Sequence, residues 1–295
     1  MGMDEFQVVL KARELVRRVK PTAIPVPVEL YAQEVGAVIR PQDDMEADEA
    51  GYCFESNGKR FICTNAKDRP ERQRFTVCHE VAHLWLGLPS QHGTGPWWSY
   101  AKRPLAEILC DVFAAELLLP YDLFHLEAEK ASIGMSSIDN LAERFQASVT
   151  ATGSRYAAAV SSPVAFVLSE QGKVRYASRS KLLKDAPAWI TPRVAIPEGS
   201  LSQKVRAGLT AESQDIVHAD LWFSEWERGG TLVEQVRHLA QWDQTLSLLW
   251  FEDLEIPARK VRDERGEIHE KETDEDLLLP ELDGVLRWPG RHRRR

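Results

Sequence analysis

The chain has 295 residues, 43% hydrophobic and 28% charged, with a formal net charge of −8; this is the composition of a globular protein long enough for two domains of ordinary size. The acidic balance excludes a general nucleic-acid coater, though it leaves room for a local basic patch. No apolar run approaches the length of a membrane span and no signal peptide opens the sequence, so a cytoplasmic protein with no membrane contact is expected.

From Phe6 to Val19 apolar and basic residues alternate at helical spacing, until Pro21, Pro25 and Pro27 break the pattern. A second helix is expected from about Pro27, with Val28, Leu30, Tyr31, Val35 and Val38 as its apolar positions and Gly36 near its end. An acidic loop from Asp43 to Glu49 leads into two strand-like runs, Gly51 to Glu55 and Lys59 to Thr64. Ser56-Asn57-Gly58 between them is a strong hairpin signal. The four cysteines, Cys53, Cys63, Cys78 and Cys110, show no CxxC spacing and read as reduced, small hydrophobic residues.

The stretch Arg74 to Pro120 carries the chemistry. It contains His79-Glu80-Val81-Ala82-His83, an HExxH motif in a helical pattern. Residues four apart on a helix differ by about 40° of rotation and about 6 Å of rise, so both imidazoles point at one spot able to hold a zinc ion. Glu80 stands where its carboxylate reaches a water on the metal, the general-base position of a metallopeptidase. HExxH also arises by chance on solvated helices. Here Phe75, Val77, Cys78, Val81, Ala82, Leu84, Trp85 and Leu86 cover nearly the whole circumference, so the helix is expected to be buried. Two histidines and a glutamate inside it need a partner.

Catalytic zinc takes three protein ligands and keeps one open position. From Pro104 to Pro120 the pattern is again apolar nearly all round, with Glu107, Asp111 and Glu116 as its charges. Glu107 and Asp111 lie four apart on one face, while Glu116 points roughly the opposite way. Glu107 is therefore read as the third ligand. Asp111 is read as the neighbour that accepts a hydrogen bond from the far nitrogen of His79 or His83. Glu116 is read as structural or solvent-facing. The bland alternative is two core helices whose carboxylates are capped by backbone or arginine. Zinc and manganese both suit a His, His, Glu set.

RFTVCHEVAHLWLG followed by ExxCDxFAAxLLLP resembles the ImmA/IrrE family of metallo-endopeptidases, closely over about Ile62 to Pro120 and more loosely to about Ala159. Cys78 and Cys110 stand where the family usually has alanine. The resemblance implies a zincin-like domain with zinc on His79, His83 and Glu107, and Glu80 as base. By analogy, the edge of the small sheet would bind the substrate backbone as an added strand. His92, Tyr100, Tyr121 and His125 are the candidates for stabilising an oxyanion, and Trp97 and Trp98 either form a substrate pocket or cover the core edge.

Ser136 to Ala159 reads as helix, turn, helix, with Ser137 capping Ile138 to Phe145 and Ser148 to Thr150 opening a second helix; it resembles the helix-turn-helix-like tail of the same family. Its charges, Asp139, Glu143, Arg144 and Arg155, sum to zero, which argues against direct DNA binding and for packing or protein docking. Beyond Ser161, strands are expected at Val164 to Leu168, Gly172 to Ser178, Gly230 to His238 and Gln244 to Phe251, with a helix near Ser200 to Leu209. Radiation-response members of the family carry a GAF-type domain at this position. Trp189, Trp222, Trp226, Trp242 and Trp250 are expected in its core rather than around a ligand.

The expected fold class is therefore α+β: a metallopeptidase domain over residues 1–125, a helix-turn-helix-like unit over 126–160, an α+β domain over 161–257, and a charged, disordered tail over 258–295. The expected function is zinc-dependent, site-specific cleavage of a protein substrate. By resemblance, that substrate is a helix-turn-helix transcriptional repressor whose loss switches on a stress or mobile-element response. The alternative is a DNA-binding or signal-sensing regulator that keeps the metal site for structure.

Overall fold

In the computed structural model helix α3 (Pro70–Leu86) lies between a small sheet and helix α4 (Leu105–Leu118). The structure describes residues 3–46, 49–89, 104–186, 188–208, 212–226, 229–252, 260–262 and 268–270. The expected roles of His92, Trp97, Trp98 and Tyr100 fall outside those residues.

Helix α1 (Glu5–Val19) is closed at its start by a capping box between Asp4 and Gln7 and packs on α4 through Val8, Ala12 and Leu15. The second helix differs from the sequence reading. Helix α2 stops at Glu34 (Glu29–Glu34), and Gly36, at φ +70°, turns the chain into strand β1 (Ala37–Gln42). Val38, assigned to the apolar face of that helix, stands on β1 and is half-exposed. Strands β2 (Gly51–Ser56) and β3 (Lys59–Asn65) form the expected hairpin around Asn57 and Gly58, both at positive φ. The sheet order is β1-β3-β2, with β1 parallel and β2 antiparallel to β3.

Helices α5 (Tyr121–Ala128), α6 (Met135–Phe145) and α7 (Val149–Ala159) follow. Ser148 caps α7 by accepting from the Ala151 N–H; α6 has Gly134 at its cap, with Ser137 buried inside the helix rather than capping it. Helix α7 lies on strands β4 (Val164–Glu170) and β5 (Lys173–Arg179). The approach is close enough that a Cβ on Gly153 would come within 2.3 Å of the Phe166 ring. Two short helices, α8 (Lys181–Asp185) and α9 (Leu201–Arg206), precede β6 (Glu212–His218), β7 (Thr231–Leu239) and β8 (Gln244–Trp250). These strands complete an antiparallel sheet of order β5-β4-β8-β7-β6.

Side chains alternate across that sheet. Phe166, Leu168, Leu246, Leu248 and Trp250 join one core with helices α1 to α7. Ala165, Val167 and Leu249 face a second core with Leu183, Ile190, Trp222, Phe223 and Trp226. Three of the five expected core tryptophans are thus buried, whereas Trp189 is nearly half-exposed. The chain is α+β, and residues 1–254 cluster as one compact unit. The second unit, residues 255–295, contains an antiparallel ribbon of β9 (Lys260–Arg262) and β10 (Ile268–Glu270). Among the described residues, no helix is long and apolar enough to cross a membrane.

Candidate metal centre

Helix α3 starts with Pro70 in its first turn, where a missing N–H costs nothing. Its middle turns, Thr76 through His83, are buried without interruption. The apolar members of that run pack into the main core, which leaves His79, Glu80 and His83 as polar groups that the same burial cuts off from water. Their potential donor atoms lie within 4.8 Å of one another. Helix α4 brings Glu107 and Asp111 to the same place, with Glu107 4% and Asp111 7% exposed.

The contacts define a centre. His79 Nε2 is 3.1 Å from Glu107 Oε2 and 3.1 Å from His83 Nε2, and His83 Nε2 is 3.5 Å from Glu107 Oε1. Ligand bonds of about 2.0–2.2 Å in a tetrahedral site put donor atoms roughly 3.3–3.6 Å apart, so the two imidazole nitrogens and the Glu107 carboxylate fit around one ion. The opposite ring nitrogens are also engaged. His79 Nδ1 lies 2.9 Å from Asp111 Oδ1, and His83 Nδ1 lies 3.2 Å from the Leu88 carbonyl oxygen. A carbonyl can only accept, so His83 Nδ1 carries the proton and its Nε2 lone pair faces the centre. Glu80 is 1% exposed, and its Oε2 has no hydrogen-bond partner among the described residues. A buried carboxylate oxygen without a partner is costly. An ion with its water beside it would remove that cost.

The electrostatics agree. Burial alone would push the His79 imidazole down, but hydrogen bonds to Asp111 and Glu107 and the charges of Asp111 and Glu80 outweigh it and hold the ring at about 9.

The structure therefore brings His79, Glu80, His83, Glu107 and Asp111 together. Glu116 is buried, not solvent-facing: its Oε1 is 2.6 Å from Arg155 and its Oε2 is 3.3 Å from Arg13. Tyr121 and His125 stack at 5.4 Å beside Arg13, and His125 Nδ1 donates to the Ala159 carbonyl at 2.9 Å. They sit beyond the C-terminal end of α4, whereas Glu107 is in its first turn, so the structure does not join them to the centre. The reading of the sequence missed two contributors. The Leu88 carbonyl carries no side-chain signal, and Cys53 on β2 meets Glu80 only through the fold.

Residues 32–156 match the family model described as the IrrE N-terminal-like domain, Peptidase_M78. A protein of Deinococcus deserti named radiation response metalloprotease IrrE is 37% identical over 103 residues, 33% of this chain and 35% of that protein. Its namesake in Deinococcus radiodurans is 33% identical over 108 residues, 35% of this chain and 32% of that protein. The chain thus matches about a third of the length of these relatives. Among solved structures, a Mycobacterium tuberculosis chain titled transcriptional regulator superposes with a TM-score of 0.56 at 14% identity, covering 83% of this chain and 75% of that one; the likeness concerns the fold alone. The HExxH helix and the helix bearing Glu107 both fall inside the matched segment, so the candidate centre lies in the part of the chain that is similar to the IrrE N-terminal-like domain.

Proposed function

We propose that the chain is a zinc-dependent endopeptidase that cuts a protein at one or a few sites. The observation that carries this reading is the convergence of His79 Nε2, His83 Nε2 and a Glu107 carboxylate, with a carboxylate oxygen of buried Glu80 within 4.8 Å of the two histidines. Held by those three residues, a zinc or manganese ion would supply a water of lowered pKa and polarise the scissile carbonyl. Glu80 takes a proton at its carboxylate and later delivers it to the leaving amine. Asp111 and the Leu88 carbonyl hold the Nδ1 sides of the two rings and so keep both Nε2 atoms aimed at the centre.

In this reading residues 1–125 form a zincin-like peptidase domain and 126–160 a helical unit. Residues 161–257 form a GAF-like sensor or docking domain, and 258–295 a charged tail. The substrate is a helix-turn-helix repressor, and its cleavage starts a stress or mobile-element response in the cytoplasm. Direct DNA binding is not part of the reading. Helix α7 is packed on β4 and β5, and the three basic residues of the helical unit are already paired, Arg155 with Glu116 and both Lys130 and Arg144 with Glu127. The rival, a DNA-binding or signal-sensing regulator, expects tight and salt-sensitive retention of duplex DNA on a filter.

The experiment compares new protein N-termini in cells expressing either this chain or its Glu80→Gln form. One or a few termini that need Glu80 and lie in a DNA-binding repressor are expected. Identical N-termini under resting and stress conditions would transfer the weight to the regulator.

A further inference from the structure

Strand β2 and helix α3 advance in step across their contact. Gly51 is pressed onto α3 so closely that a Cβ there would come within 2.6 Å of Thr76 Cγ2 and 2.3 Å of the Cys63 carbonyl oxygen. Two residues along the strand is a rise of about 6.8 Å, returning to the same sheet face. One helical turn from Thr76 is a rise of about 6 Å and ends at Glu80. Cys53, paired across the sheet with buried Ile62, is therefore set opposite Glu80. Its thiol is a free sulfhydryl in partial contact with solvent and packed against the main core. Burial holds it protonated, and the nearby Glu80 charge acts in the same direction. A protonated thiol beside a carboxylate can only serve it as a donor.

We propose that Cys53 is a positioning residue for Glu80: its S–H donates to the Glu80 carboxylate and fixes the rotamer that keeps a carboxylate oxygen within 4.8 Å of the His79 and His83 ligand atoms. The inference rests on the reading of Glu80 as the base. No bond is made or broken at sulfur. The strand that lies on α3 thereby sets the orientation of the group that moves the proton, so any displacement of β2 is felt at Glu80.

The test has two readouts on the full-length protein. The first is the infrared S–H stretch, assigned to Cys53 by its loss in Cys53→Ser and recorded without metal and with zinc. It is expected to lie below that of an unbonded thiol and to rise in Glu80→Ala, with a smaller rise in Glu80→Gln. A band that stays in place in both variants would overturn the proposal and leave the base reading untouched.

The second readout is cleavage of the substrate found by the N-terminus comparison, measured at equal zinc content. Cys53→Ala is expected to lower kcat about three- to tenfold, the scale of one neutral hydrogen bond, with KM unchanged, and Cys53→Ser to restore it. Equal rates for Cys53→Ala and the unmodified protein, with Glu80→Gln inactive, would also overturn the proposal. A Glu80→Gln form as active as the unmodified protein would sink the base reading and the positioning role together, while the infrared band still reports the bond.

Discussion

Two buried carboxylate clusters sit in this molecule and are treated in opposite ways. Glu234 on β7 is fully buried, yet it accepts from the backbone N–H groups of Leu201 at 3.0 Å and Ser202 at 2.8 Å and from the Ser202 hydroxyl, which also meets Ser247. Backbone and hydroxyl donors at the start of α9 meet that carboxylate without any ion. Between α3 and α4, Glu107 and Asp111 converge on one imidazole, and Glu80 keeps an oxygen with no partner among the described residues. The first cluster is complete as folded and fastens a helix to a sheet. In the second, an oxygen of Glu80 is left without a partner among the described residues, which is where a bound ion and its water would act.

The strongest way to break this contrast is to remove a charge from the second cluster. Glu80→Gln should lower cleavage by roughly 10²- to 10⁴-fold, while the metal-free protein melts at the same temperature or higher, because a buried negative charge has been relieved. A variant that loses activity only because it unfolds in calorimetry would refute the distinction.

Next in size is Glu116→Ala, which leaves Arg155, only 10% exposed in its side chain, without its buried partner. Breaking such a pair costs about 3–5 kcal/mol; Arg13, 45% exposed, adds little. Urea unfolding should show this loss equally with and without zinc. By contrast, Glu107→Ala should abolish tight zinc binding with a smaller change in metal-free stability. Calorimetric titration with zinc checks the pair of variants, and tight binding by Glu107→Ala would overturn the ligand assignment. Smaller again is Asp111→Asn, expected to weaken zinc about 10- to 100-fold by releasing the His79 ring.

What the sequence made legible follows from burial and period. The HExxH helix and α4 announce themselves because charged residues stand in otherwise apolar helices, and the Asn57-Gly58 hairpin because its turn chemistry is specific. Strand β1 was hidden: Pro41 argues against a strand, and Val35 and Val38 continue a helical spacing that Gly36 cuts. Strand β6, ESQDIVH, is an edge strand with almost no buried side chains, so it lacks the alternation that marks β7 and β8. Helix α8 spans five residues, too short for a periodic signal. At the site, spacing within α3 and within α4 was readable. The meeting of Glu80 with Cys53, and of Glu116 with Arg13 and Arg155, depends on tertiary packing and leaves no local trace.

The smallest expected effect concerns pH and distinguishes the clusters without a mutation. His79 is raised to about 9 in the folded, metal-free chain, above its ordinary value near 6.5. A raised imidazole contributes stability that is fully present below about pH 6.5 and is lost as pH rises through about 9. The metal-free protein should therefore melt progressively lower across that window. Zinc affinity should climb over the same range, since the ion displaces the His79 proton. The zinc-loaded protein, whose centre already holds its cation, should show a flatter profile. Asp111→Asn removes the carboxylate charge that strengthens the hydrogen bond doing most to raise His79, so it should flatten the metal-free curve as well. A metal-free melting temperature independent of pH between 6.5 and 9 would mean that His79 does not stay charged over that window, and that the second cluster is satisfied in some other way.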